Sequence, residues 1–279
     1  PGEGFDQVEF LSEIAQQRPD DTTVLTHLSR ALIGEGRPRE ALVVLEKVDA
    51  LGLDDMESLA LMAATHLYLD NRIAATQILE RLAELPDAHP NALLTLGSLL
   101  QEQARLEDSA RALRRAHERF PDHWELAQAY VKILARLGQK ERSLEVANDL
   151  TERHPDDPDA FTTLADAASV FNEIGVAENA YRVALSLRPD SPRILNNLAW
   201  LLRQDASRWA EAIELAKRAI ELSPQMDSAW DTLAELCSLD GRHDEALLAI
   251  ERAIAISDDS PPSYLERRQV LLRRKGSAD

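Results

Sequence analysis

A proline-centred punctuation recurs along this chain at a fixed interval. Pro121, Pro155 and Pro189 stand 34 residues apart, Pro224 follows 35 later, and Pro19 precedes Pro121 by 102, three such intervals. The surrounding segments are alike: RPDD at 18–21, FPDH at 120–123, HPDDPDA at 154–160, RPDSPR at 188–193 and SPQMDSA at 223–229. A period of this length, sustained over most of a chain, means one supersecondary unit stacked on copies of itself. It excludes most folds before any single element is considered.

In this frame the units are 22–55, 56–89, 90–123, 124–157, 158–191, 192–226 and 227–260, with 1–21 before them and 261–279 after. The seventh place of each unit holds Leu28, Met62, Leu96, Tyr130, Leu164, Leu198 or Leu233. The eighth is nearly always small: Ser29, Ala63, Gly97, Val131, Ala165, Ala199, Ala234. A second small residue follows twelve or thirteen places on: Ala41, Ala75, Ser109, Ser143, Ala177, Ala212, Ala246. Large residues at helical spacing fill one face of each of two helices, and the small pair lets those helices cross closely. Proline ends the second helix, and the Asp or Ser after it is placed to cap the next. Glycines 36, 138, 175 and 241 fall in the turns within units, where a left-handed residue is useful. Scarce glycine (10 residues) and few aromatics (5%) agree with an all-α chain.

The pattern resembles the tetratricopeptide repeat, a helix–turn–helix unit of the same length. The resemblance runs from Thr22 to about residue 260 and implies a right-handed α-solenoid of seven repeats. Departures are local. The first repeat ends in Leu53-Asp54 rather than proline, the second places Pro86 one residue early, and the sixth has an extra turn residue in QDASRWAEA. Residues 5–18 match only the second helix of a repeat, so further repeats are expected upstream. SYLERRQVLLRRK (263–275) reads as a final helix in which Arg267 and Arg268 take the places of a leucine and an alanine. A polar helix of this kind caps a solenoid; the alternative is a basic docking element.

Forty-nine acidic against 31 basic residues give a net charge of −18, the wrong sign for nucleic acid or an anionic membrane surface. The lone cysteine, Cys237, excludes an intramolecular disulfide and a cysteine-based zinc site, and reads as a buried thiol. No segment reads as a signal peptide or a membrane span. P-loop, GxGxxG, HExxH, GxSxG and EF-hand patterns are absent, and the seven histidines do not pair at metal-ligand spacing. No catalysis, metal or cofactor is expected.

The resemblance instead implies a concave face lined by the second, fifth, ninth and twelfth places of each repeat, with the sixth and thirteenth at its edge. The fourth repeat offers Gln128, Lys132 and Arg136 there, and the fifth Asp159, Thr162, Asp166 and Ser169. In the sixth, the stretch ILNNLAWLL puts Asn196 and Trp200 on the stripe with Arg193 and Arg203, and Asn197 at its edge. The seventh offers Ser228, Asp231, Glu235 and Ser238. Tryptophan and arginine are enriched at binding hot spots. Trp209, three residues before Ala212, is expected to pin a turn.

Two known specialisations of this family are not reproduced. The chaperone-binding carboxylate clamp fails because Lys132 and Arg136 are followed by Asp159 and Asp166. The asparagine ladder of the N-acetylglucosamine transferase fails because the corresponding places hold His27, Leu61, Thr95, Ala129, Thr163, Asn197 and Thr232.

The expected function is a non-catalytic scaffold that binds an extended protein segment of mixed charge, without nucleic acid or membrane insertion. The NNLAW…DTLAEL arrangement resembles bacterial cell-envelope proteins of exopolysaccharide assembly, and the cytoplasm and periplasm remain equal alternatives. An accessory domain of a larger enzyme and a self-associating module are the rival readings.

Overall fold

The computed structural model describes residues 6–52, 55–257 and 261–276, so the Leu53-Asp54 departure lies outside the described residues. Among these it contains sixteen α-helices, one short 3₁₀ turn and no strand. The chain divides into two compact units, Pro1–Ile133 and Leu134–Asp279, and the division falls inside one helix. In the first unit these are α1 (Gln7–Gln17), α2 (Thr22–Gly34), α3 (Pro38–Ala50), α4 (Met56–Tyr68), α5 (Arg72–Ala83), α6 (Pro90–Glu102) and α7 (Leu106–Arg119). The dividing helix is α8 (Trp124–Arg136). The second unit continues with α9 (Lys140–Arg153), α10 (Pro158–Val170), α11 (Ile174–Leu187), α12 (Pro192–Leu202) and α13 (Trp209–Leu222). It ends with α14 (Asp227–Leu239), α15 (His243–Ile256) and α16 (Pro262–Gly276).

Several first helices start at an aspartate cap. Asp21, Asp55 and Asp157 accept the backbone N–H of Val24, Ser58 and Asp159 at 3.2, 2.9 and 2.8 Å. Those carboxylates satisfy amides that have no partner inside the helix and meet the positive end of its dipole. Ser191 occupies the same place before α12 but makes no such bond.

The turns within repeats share one geometry. The left-handed residues are Gly36, Asp70, Ala104, Gly138, Asn172 and Gly241 (φ between 57 and 78°), the fifteenth place of six repeats. The following amide reaches back to a carbonyl five residues earlier, as in Arg37 N to Leu32 O, Arg105 N to Leu100 O and Arg242 N to Cys237 O, each 2.8 Å. These are Schellman closures, which satisfy the last carbonyls of the first helix. Gly175 is not part of this set: it lies in the first turn of α11, and Asn172 supplies the left-handed step instead. The sixth repeat escapes the rule because its extra residue replaces the closure with a 3₁₀ turn, Ala206–Arg208, capped by Asp205. Trp209 then donates its indole N–H to the Arg203 carbonyl at 2.9 Å and ties that turn down.

The small residues sit where first and second helices cross. Ala165 and Ala177, Ala199 and Ala212, Ala234 and Ala246 are all fully buried. At Gly97 a β-carbon would come within 2.8 Å of Leu113 Cδ2 and 2.9 Å of its Cγ, while Ser109 donates to the Gly97 carbonyl at 2.8 Å. Cys237 is buried in the seventh repeat, and burial pushes its thiol above the usual range.

Candidate partner-binding face

In the second unit the first helices α10, α12 and α14 lie side by side, followed by α16. Their side-chain contacts keep register, which means that they run in the same direction. Near the N-terminal ends Arg193 on α12 reaches Asp159 on α10 at 3.2 Å, and Arg188, at the end of α11, reaches the same carboxylate at 3.0 Å. Farther along, Asn197 on α12 donates to Asp166 on α10 at 3.2 Å, and Arg193 lies 3.7 Å from the other oxygen of Asp166. The Tyr181 hydroxyl donates to Asp166 at 2.5 Å from beneath. That phenol is held well above its usual pKa, by burial first and by the Asp166 charge second.

At the other edge α16 sits where an eighth first helix would. Pro262 opens it as Pro192 opens α12, so Tyr264 and Leu271 take the buried third and tenth places. This register corrects the assignment made from the sequence: Arg267 occupies the sixth place, the position of Asn197, and not that of a core leucine. It therefore faces the same side as the stripe, where its guanidinium binds Asp231 at 2.7 Å and also pairs with Glu235. Arg274 donates to Ser238 at 3.0 Å, and the Tyr264 hydroxyl reaches Asp227 at 3.3 Å. Burial holds the Asp231 carboxyl above its usual range although Arg267 pulls it down. Asp231 and Glu235, expected as partner contacts, are thus engaged by the chain's own last helix.

Between these two flanks, whose carboxylates are engaged within the chain, lies the sixth repeat. Leu195, Leu198, Leu201 and Leu202 of α12 are buried, but Trp200 is 37% exposed. The Arg203 guanidinium lies over its ring, 3.7 Å from the centroid, and donates one N–H to the Trp200 carbonyl at 2.7 Å. Burial, and secondarily the neighbouring Arg267 charge, hold Arg203 below its usual pKa. Asn196 departs from expectation: it is 7% exposed rather than open on the stripe, and its Oδ1 is buried without a hydrogen-bond partner. Lys132 and Gln128 on α8 bond to each other at 3.1 Å in the first unit. Arg136 belongs to the second unit, at the C-terminal end of the same helix. The sequence stripe missed Tyr181 and Arg188, which reach this face from α11 and its C-terminal end, and Arg267, whose helix was counted one residue out of register.

Sequence models of the tetratricopeptide repeat match residues 100–167 and 203–266, and a second such model matches 162–227. Together they run from 100 to 266, more than half of the chain. The chain belongs to the tetratricopeptide repeat family. Over 178 residues it is 25% identical to the human protein O-mannosyl-transferase TMTC1, covering 62% of this chain and 20% of that protein. Over 98 residues it is 30% identical to cellulose synthase operon protein C of Pseudomonas fluorescens, covering 35% of this chain and 8% of that protein. The chain thus spans a small part of these relatives' lengths. A tetratricopeptide repeat protein from Parabacteroides merdae superposes with a TM-score of 0.67 at 12% identity, covering 90% of this chain and 98% of that one. YrrB, described as a tetratricopeptide repeat protein with an unusual peptide-binding site, superposes at 0.55 with 17% identity over 66% of this chain and 94% of its own. The fold is the all-α repeat solenoid of this family, an architecture that serves as a protein-interaction scaffold.

No helix among the described residues is long and apolar enough to cross a membrane. No group of three or more His, Cys, Asp or Glu side chains there is placed to hold a metal ion.

Proposed function

We propose that the protein is a non-catalytic adaptor that holds an extended partner segment against α10, α12 and α14. The observation that carries this reading is Trp200. It is large, apolar and open to solvent on a helix whose leucines are buried, and Arg203 holds its ring from one side. An aromatic pre-positioned by a stacked guanidinium loses little freedom on binding, which favours a hot spot. The peptide-binding site described for YrrB supports the mode, and the likeness to cellulose synthase operon protein C supports a role in bacterial exopolysaccharide assembly.

A second reading is an accessory repeat domain of a larger enzyme, favoured by the match to a fifth of an O-mannosyl-transferase. Affinity capture with the wild type and a Trp200→Ala/Arg203→Ala variant tests the first reading, after melting curves establish that both are folded. The account expects a partner held by the wild type and lost by the variant, with Trp200 alone contributing about 2 kcal/mol or more. Equal capture by both proteins contradicts it.

A further inference from the structure

The face around Trp200 carries a charge asymmetry that the composition conceals. The chain is acidic, yet the four carboxylates on the stripe of repeats five to seven are all engaged internally. Asp159 is held by Arg188 and Arg193, Asp166 by Tyr181, Asn197 and Arg193, and Asp231 and Glu235 by Arg267. Arg203 differs. It makes no ion pair among the described residues; its contacts are the Trp200 ring and carbonyl, which leave further N–H donors open.

Because the first helices run in one direction, their C-terminal ends lie together. Val170 and Leu239, the last residues of α10 and α14, the first helices before and after α12, are exposed. We infer that this end of the face recognises an extended partner segment bearing an aspartate or glutamate next to apolar residues, the carboxylate bonding to Arg203 and the apolar neighbours covering Trp200, Val170 and Leu239. This rests on the adaptor reading above and names the partner's chemistry within it.

The assignment reverses the mixed charge expected from the sequence. A basic segment would have to displace Arg267 from two carboxylates to gain a partner here, and one brought to Arg203 would meet like charge. A carboxylate meets a guanidinium already stripped of part of its water and fixed in orientation by the ring beneath it. The net charge of −18 does not oppose this, since only charges within about a Debye length of roughly 8 Å act strongly at physiological salt.

The test is selection from a random dodecapeptide display library on the whole chain, followed by resynthesis of selected peptides with Asp or Glu replaced by Asn or Gln. Acid-enriched peptides are expected. Amide replacement weakens binding to the wild type about tenfold but leaves binding to Arg203→Gln unchanged, and Trp200→Ala abolishes binding. Selected peptides that are neutral or basic, lost with Trp200→Ala but indifferent to Arg203→Gln, overturn the acidic partner and leave the adaptor face intact. Peptides indifferent to both substitutions, or none selected at all, overturn both.

Discussion

The guanidinium of Arg267, on the last helix, bridges Asp231 and Glu235, on the first helix of the repeat before it. It does on α16 what Asn197 does on α12, filling the sixth place with a donor aimed at the preceding repeat's acids. Arg267 is therefore an electrostatic latch between α16 and α14. The Arg267 charge is met by carboxylates of its own chain.

Removing the latch leaves two neighbouring carboxylates with no counter-charge in a partly covered site. Arg267→Ala is expected to destabilise the second unit by about 1–2 kcal/mol, between the values for exposed and buried pairs. Urea unfolding measures it, and Asp231→Asn added to that variant should recover part of the loss. A midpoint unchanged by Arg267→Ala would mean that α16 is held by Tyr264 and Leu271 alone.

Ala104 adopts φ +58° in a place that glycine fills in three other repeats. The left-handed conformation costs an alanine roughly 1–2 kcal/mol, of which glycine's greater freedom in the unfolded chain returns part. Ala104→Gly is expected to stabilise the protein by about 0.5 kcal/mol or more, read as a rise in the melting temperature.

Gly97→Ala acts in the opposite direction. The new methyl would meet two Leu113 atoms below 3 Å, and Leu113 is fully buried. Overpacking at such a crossing costs about 1–3 kcal/mol. A Gly97→Ala/Leu113→Ala double variant less destabilised than the sum of its singles would locate the effect in this contact.

The tyrosines predict an alkaline limit. Burial, with Asp227 and Asp231 nearby, pushes Tyr264 up to about 12, and Tyr181 is raised by burial and Asp166. An unfolded tyrosine titrates near ~10. Above that pH the unfolded chain releases protons that the folded chain retains, so stability falls as pH rises; below it these groups contribute no slope. Tyr264→Phe should flatten the loss between about pH 10 and 12, measured by denaturant midpoints across that range.

The repeat and its helices were legible because period and small-residue spacing encode them directly. The fifteenth-place turn was only half legible. Glycine marks it at 36, 138 and 241, but Asp70, Ala104 and Asn172 take the same conformation under tertiary constraint, and Gly175 misleads by standing inside a helix. The α16 register was lost because counting 34 residues from Asp227 ignores the proline that opens helices; Pro262 carried the missing signal. That Asn196 is covered while Trp200 stays open cannot be read from period at all, since both sit on one stripe and only the packing of neighbouring helices separates them. Nor can pairing of acids with Arg188 and Arg267, which depends on contacts 29 to 36 residues apart.

The most direct measurement follows the four tryptophan indole N–H signals by two-dimensional NMR while a captured partner or a selected peptide is added. The account predicts that the Trp200 signal shifts with saturation, while Trp124 and Trp230, the latter bonded to the Pro224 carbonyl at 3.0 Å, stay in place. Binding with Trp200 unmoved would place the partner on another surface and contradict it.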